Sequence, residues 1–535
     1  MKKLLLPLAL LTASVANSQP KPATGERLPA SYSTTYQAPV FADPQRAEKI
    51  RAALPLAESL YRDYATKNHF PGLAFGIVVD GKLVHAGGAG YTDVAKKTAA
   101  TPQSLFRIAS MSKSVTTMAI LKLRDEGKIR LDDPAYLYIP ELKKLPYLTA
   151  DSPLITVRNL MTHSAGFPED NPWGDRQLDD TPADLINLIK GGLSLSNVPG
   201  VTYEYSNLGF AMLGAIITKV SGKPYQQYID EAIFKPLGMT HTVWEYTKIP
   251  PDQLAHGYRW QNDDWLEEPL LHDGSYGAMG GLITSVEDFS KYMAFHQSAW
   301  PPRSDAEMGG PSLRPIKRSS VREMQQPWTF NSLSANFKYP SGRACPMVSS
   351  YGYGMRWSRD CEGRVYVGHT GGLPGFGSQW WIMPEYGIGV VAYGNLTYAG
   401  MASVNWAVLD TLIATAGLKP RVMPVSNLLA QRKAELVQLL PDWRNAAESK
   451  IFAENFFPDQ SLEIRRKQVQ DLYAKAGKIV RVGELIPENQ LRGRFLIEGE
   501  NASIEAFFTL TPENPALIQQ LDFKEVKARS PQNRP

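Results

Sequence analysis

A chain of 535 residues is longer than one ordinary hydrophobic core, so two or more domains are expected. With 43% hydrophobic and 21% charged residues, it has the composition of a soluble globular protein rather than a disordered or fibrous one. A net charge of +4, with no Lys/Arg cluster and no RNA-binding motif, argues against a nucleic-acid partner.

The chain opens with Met1-Lys-Lys, a short apolar run Leu4–Leu11, and small residues at Ser14-Val-Ala16 and Ala16-Asn-Ser18. That pattern reads as an export leader over residues 1–18. Its apolar run falls short of the roughly 20 residues a membrane span needs, and no lipobox cysteine follows. A periplasmic or secreted protein without stable membrane insertion is expected. Residues 19–46 are rich in Pro, Ser and Thr and read as an extended lead-in. Ala47–Lys67 then shows helical spacing. Leu73–Val79, Asp80-Gly81 and Lys82–Ala86 give the alternation and turn of a hairpin. Ser112–Glu126 is an apolar helix closed by Gly127. A helical and loop-rich region follows through His296, and Trp300–Gly342 reads as an inserted, partly irregular stretch. Strands are expected at Tyr351–Trp357, Val365–Gly368, Gln379–Met383 and Ile388–Tyr393, with a helix at Met401–Ala416 packed on them. The first and last segments then build one antiparallel sheet flanked by helices, with an all-helical part inserted between them. That is an α+β arrangement.

After Leu418 the character changes. Residues 419–426 form a linker, 427–528 a smaller C-terminal α+β domain, and 529–535 a tail. Helices are expected there at Asn427–Leu440 and Leu462–Ala476. Strands are expected at Ile479–Leu485, Gln490–Ile497, Ala502–Leu510 and Ile518–Phe523. This domain carries no visible catalytic constellation, and scaffolding is the simplest role for it.

Three segments carry chemistry. Ser110 stands one helical turn ahead of Lys113, so the amine can reach the hydroxyl. A serine needs such a base, and a lysine serves as one only where burial lowers its pKa. Alone, this spacing is weak, and a capped, solvated helix explains it as well. Tyr203-Glu-Tyr-Ser-Asn-Leu-Gly-Phe places Tyr205 and Asn207 two residues apart before an apolar helix at Leu208–Val220. A phenol and an amide can therefore face one cleft, while Ser206 or Asn207 caps the helix. Gly368-His-Thr-Gly-Gly-Leu-Pro-Gly offers backbone N–H groups to an oxyanion, or is a glycine-rich turn before a strand. Cys345 and Cys361 can pair across a hairpin, or stay as two thiols. No zinc spacing is present, and no cofactor is expected. The run Thr162-His-Ser-Ala-Gly166 lacks the first glycine of an α/β-hydrolase elbow and reads as a structural turn near the cleft. Trp173, Tyr276, Tyr353, Trp380 and Trp381 either line the cleft or fill the core.

Together and in this order, the three segments resemble the serine β-lactamase and penicillin-binding-protein family, including class C β-lactamases, D-alanyl-D-alanine carboxypeptidases and family VIII-like esterases. Similar phrases support this: Gly127-Lys-Ile-Arg-Leu-Asp-Asp-Pro, Ile155-Thr-Val-Arg-Asn-Leu-Met-Thr-His-Ser-Ala-Gly-Phe, Pro236-Leu-Gly-Met-Thr and Gly280-Gly-Leu-Ile-Thr-Ser. The resemblance runs from Ala47 to Gly417 and implies a hydrolase domain over 47–418. It implies Ser110 as nucleophile, Lys113 as its base, Tyr205 in proton transfer, and Asn207 orienting Lys113. It also implies an oxyanion hole from the Ser110 and Gly372 N–H groups, with His369, Thr370 and Gly371 beside the substrate. His369 departs from the family's lysine. An imidazole is largely neutral above about pH 6.5, which weakens the reading as a dedicated β-lactamase. An esterase or D-peptidase acting on a small molecule or a peptide, such as one derived from peptidoglycan, is therefore expected. The competing reading is a non-catalytic relative that binds peptidoglycan or a partner. The sequence leaves the oligomeric state open.

Overall fold

The computed structural model describes residues 36–303 and 315–527. The leader over 1–18, most of the lead-in and the tail from 529 lie outside the described residues. The chain divides into two compact units, one spanning Ala38–Val422 and one built on residues from Met423 onward. Residues up to Val422 are tied into the first unit. Arg421 N–H donates to Glu385 O at 2.9 Å, and Val422 N–H to Val40 O at 2.7 Å.

In the first unit, α1 (Arg46–Lys67) buries Ile50, Ala53, Leu54, Ala57, Tyr61 and Ala65 on one face, the spacing its sequence shows. The hairpin of β1 (Gly72–Val79) and β2 (Lys82–Asp93) turns at Asp80 and Gly81, with φ of +49° and +77°. This is the left-handed pair that an Asp-Gly turn supplies. A short β3 (Thr98–Ala99) precedes α2 (Ser112–Asp125). The helical region contributes a one-turn α3 (Asn171–Gly174), then α4 (Asn207–Ser221) and α5 (Val286–Ser298). Six strands follow: β4 (Thr329–Ser334), β5 (Met347–Tyr351), β6 (Arg356–Asp360), β7 (Val365–Leu373), β8 (Phe376–Met383) and β9 (Ile388–Gly394). Helix α6 (Ala402–Thr415) closes the unit.

All nine strands form one antiparallel sheet in the order β3-β2-β1-β9-β8-β7-β6-β5-β4. Strand β1 is buried along its whole length and feeds two cores by alternation. Leu73, Phe75 and Ile77 pack with α1 and α6, whereas Ala74 and Val78 pack on the side of α2 and α5.

One expectation is corrected here. The single strand expected over Tyr351–Trp357 is the end of β5, a turn and the start of β6. Gly354 has φ +63° in that turn, and Gly352 N–H donates to Met355 O at 2.7 Å, so the chain reverses instead of continuing. The partly irregular stretch Trp300–Gly342 contributes one strand, β4, which forms the outer edge of the sheet. A disulfide joins Cys345 and Cys361, whose Cα atoms are 5.4 Å apart, at the base of the β5–β6 hairpin.

The second unit places α7 (Asn427–Leu439) and α8 (Leu462–Ala476) with β10 (Ile479–Val482), β11 (Ile486–Asn489), β12 (Arg492–Gly499), β13 (Ala502–Leu510) and β14 (Ile518–Lys527). Its sheet runs β10-β12-β13-β14, with β11 also on β12. Inward residues such as Phe495, Ile504 and Phe508 share a core with Trp443 and Phe456. Among the described residues, no helix is long and apolar enough to cross a membrane, and no group of His, Cys, Asp and Glu could hold a metal ion.

Candidate active site

Ser110 lies in a single 3₁₀ turn, Ala109–Met111, that leads directly into α2. The preceding Ala109 has φ +49°, an uncommon conformation for a residue with a side chain. Helix α2 is buried from Ser112 through Leu121. Its hydroxyls are nonetheless satisfied: Thr116 donates to Ala278 O at 2.6 Å and Thr117 to Tyr353 O at 2.9 Å. Ser110 therefore sits at the start of a rigid element, 7% exposed.

Lys113 is fully buried, with Nζ 3.0 Å from Ser110 Oγ. Nζ donates to Asn207 Oδ1 at 2.7 Å and to Met279 O at 2.9 Å. Burial pushes its pKa down from 10.5 to about 7; Asp175 and Asp170 oppose that shift, and Arg356 adds to it. A neutral amine has two N–H bonds and one lone pair. The two carbonyl acceptors take both hydrogens, which leaves the lone pair directed at the Ser110 hydroxyl.

Tyr205 and Asn207 come from the entry to α4. Ser206 is the N-cap, its hydroxyl accepting from Gly209 N–H at 3.2 Å. The Asp170 carboxylate accepts from Asn207 N–H at 2.6 Å and from Leu208 N–H at 2.9 Å, so a negative charge completes the helix N-terminus and fixes Asn207. The Asn207 amide in turn donates to Asn171 Oδ1 at 3.1 Å. Burial drives the pKa of the Tyr205 hydroxyl far above the usual phenol value, so it stays a neutral phenol. The Lys113 Nζ lies 4.8 Å from its ring centroid. On its other side is His163, held at φ +54°, with the two rings 4.1 Å apart. The Thr162–Gly166 run thus forms the wall behind Tyr205.

The segment expected as a glycine-rich loop is strand. Strand β7 passes the nucleophile through Gly371, where a Cβ would stand 2.2 Å from Ile108 O and 3.1 Å from the Ala109 Cβ. Only glycine allows this approach. The pairing of β7 with β6 stops at Gly368↔Arg356, while its pairing with β8 continues to Leu373↔Phe376. The edge of His369–Gly372 facing away from β8 therefore has no strand partner, and an extended substrate can add there.

His369 is corrected. Expected to meet the substrate, it is fully buried. Its Nε2 accepts from the Tyr351 hydroxyl at 2.8 Å, and its Nδ1 is bonded to Thr370 O. Burial, together with Arg356 and Lys113, holds its pKa well below the ordinary value, so the ring is neutral and structural. A cation near Tyr205 is supplied by Arg356, which sequence reasoning missed. Its Cζ lies 5.7 Å from the Tyr205 ring centroid, its Nε has no hydrogen-bond partner, and no carboxylate among the described residues is in ion-pair range. Thr370 and Arg356 line one cavity of about 400 Å³ together with Gln379. Only the β6–β7 register reveals Arg356, and no local motif marks it. Of the aromatic candidates, Tyr276, Tyr353 and Trp380 are buried, Trp381 is buried and also lines the cavity of about 400 Å³, and Trp173 lines a separate cavity of about 340 Å³ beside Leu208.

Comparison with known proteins gives the same picture. Residues 57–413 match the profile of the Beta-lactamase family. Protein flp of Staphylococcus aureus (strain NCTC 8325 / PS 47) is 30% identical over 336 residues, 62% of this chain and 60% of that protein, so the match spans three fifths of its length. The octameric penicillin-binding protein homologue from Pyrococcus abyssi superposes with a TM-score of 0.56 at 21% identity, covering 89% of this chain and 96% of the other. The penicillin binding protein from Bacillus halodurans gives 0.51 at 21% identity, covering 66% and 98%. The two solved structures speak to the fold. Motifs, sheet and profile agree that the chain belongs to the Beta-lactamase family, whose members are serine hydrolases and penicillin-binding-protein-like proteins.

Proposed function

We propose that this chain is an exported serine hydrolase that cleaves an ester or amide through an acyl-enzyme on Ser110. The observation that carries this reading is the buried Lys113 amine, with Nζ 3.0 Å from Ser110 Oγ and held by Asn207 Oδ1 and Met279 O. Lys113 takes the Ser110 proton as Oγ attacks the substrate carbonyl. The negative oxygen that forms is met by the backbone N–H groups of Ser110 and Gly372, where one donor is worth roughly 3 kcal/mol of barrier. Collapse breaks the bond to the leaving alcohol or amine, which receives a proton from Lys113 through Tyr205. Water then attacks the acyl-enzyme by the reverse relay and regenerates Ser110.

Arg356 narrows the substrate class. An unpaired guanidinium beside the free edge of β7 suits a leaving group with a carboxylate, as a D-peptide has, and compensates for the cation missing at His369. A D-peptidase with ester-hydrolysing capacity fits better than a dedicated β-lactamase. The leader pattern and the Cys345–Cys361 disulfide support export. The test is a panel of short p-nitrophenyl esters, nitrocefin and D-amino-acid peptides, run on wild type, Ser110→Ala and Arg356→Gln. All turnover should vanish in Ser110→Ala. Arg356→Gln should raise KM for peptides ending in a carboxylate by about tenfold relative to the neutral esters. Turnover that persists in Ser110→Ala rejects the mechanism, and equal effects on both substrate types reject the role of Arg356.

A further inference from the structure

The second unit holds a cavity of about 500 Å³, lined by Trp443 from the turn after α7, by residues of α8 and by residues of β14. That volume lies within the range of about 300–1,000 Å³ that small-molecule sites occupy. Two of its lining side chains are held in place without being fully used. Trp443 is 1% exposed and has φ +58°, an uncommon conformation for a bulky residue. Its indole N–H is buried with no acceptor among the described residues, where a buried donor is normally paired. Arg465 donates from Nε to Gln460 O at 3.1 Å and from Nη2 to Phe456 O at 2.9 Å, and its Cζ lies 3.8 Å from the Phe456 ring centroid. Carbonyls and a ring thus fix the guanidinium, and no carboxylate among the described residues is in ion-pair range of it.

The other charges of the lining complete the pattern. Lys475 is paired with Glu525 at 3.2 Å, and Asp471 with Lys467 at 2.9 Å. Asp522 accepts from Gln520 Nε2 at 2.7 Å but has no cation in ion-pair range among the described residues. The cavity therefore offers one cation from α8 and one anion from β14, each without an ion-pair partner. Its apolar lining is Val469, Leu472, Leu521 and Phe523. A ligand with a single charge would satisfy one of the two and face the other unpaired. A zwitterion satisfies both.

We infer that the second unit binds an amino acid or dipeptide zwitterion with an apolar side chain. Its carboxylate meets Arg465 and the Trp443 N–H, its ammonium meets Asp522, and its side chain covers Leu472 and Leu521. Peptide hydrolysis releases ligands of this class, but the site stands whether or not Ser110 is a nucleophile.

The test is isothermal titration of the full chain carrying Ser110→Ala, which removes any turnover at that residue. The probes are leucine, dileucine, N-acetylleucine and leucinamide. Leucine or dileucine should bind at one site, with N-acetylleucine and leucinamide each weaker than leucine by about tenfold, because each lacks one charge. Adding Arg465→Gln should weaken the zwitterions by about tenfold. Adding Asp522→Asn should weaken them to a similar degree and leave N-acetylleucine unchanged, a pattern that a change in packing would not give. Absence of binding by both zwitterions overturns the proposal, as do affinities that neither substitution alters. If urea titration shows Arg465→Gln to be unfolded, Asp522→Asn at its exposed position decides alone: weaker zwitterion binding supports the site, and unaltered binding refutes it.

Discussion

Titrating acylation across neutral pH asks whether Lys113 is the base. An amine at 10.5 would be neutral in about one molecule in three thousand at pH 7, while one held at about 7 is neutral in about half. The difference is roughly a thousandfold in competent enzyme, or about 4 kcal/mol. The assay is kcat/KM for p-nitrophenyl acetate between pH 5 and 10. It should show a single ionisation that raises the rate, centred near pH 7, with a plateau above. Lys113→Arg should lose the activity and the ionisation together, because a guanidinium does not deprotonate. Stability gives an independent check. Folding depresses this pKa below its unfolded value, so between about 7 and 10.5 the unfolded state binds more protons, and stability rises with pH through that window. Below about 7 the burial penalty is fully present, and Lys113→Met should remove that dependence. A rate limb centred at pH 4–5, or a limb that survives in Lys113→Arg, would refute Lys113 as base.

Gly371→Ala should lower kcat/KM more than tenfold and destabilise the fold by roughly 1–3 kcal/mol, since its Cβ would meet Ile108 O at 2.2 Å and Ser378 Oγ at 2.3 Å. Steady-state kinetics and urea titration would read both, and a variant with wild-type kcat/KM would show that β7 can shift without disturbing Ser110. Replacing Cys345 and Cys361 by alanine opens a bridge between residues 16 apart and should cost about 3 kcal/mol in urea titration. An unchanged midpoint would mean that the hairpin holds without it.

The parts legible in the sequence were those whose signal is local. The spacing of Ser110 and Lys113, the Asp80-Gly81 turn and the alternation in β1 each follow from a few adjacent residues. The structure brings Ser110, Lys113, Tyr205 and Asn207 together around one amine. What escaped depends on pairing between distant segments. Arg356 reaches the site because β6 ends opposite Gly368. Asp170 and Asp175 sit in an acidic loop that looks like solvated surface until α3 is seen against Asn207. His369 was expected beside the substrate because it stands where the resembled family has its lysine, yet Tyr351 from another strand occupies its ring nitrogen.

The way β1 closes onto β9 has a kinetic meaning. Leu73 pairs with Gly394, so roughly 320 residues of intervening chain must be gathered before the centre of the sheet exists. Because β7 and β8 dock beside that junction, catalytic competence should emerge late in biosynthesis, after nearly the whole hydrolase unit has left the ribosome. Until then the nascent polypeptide carries its reactive serine in an unassembled and therefore harmless form.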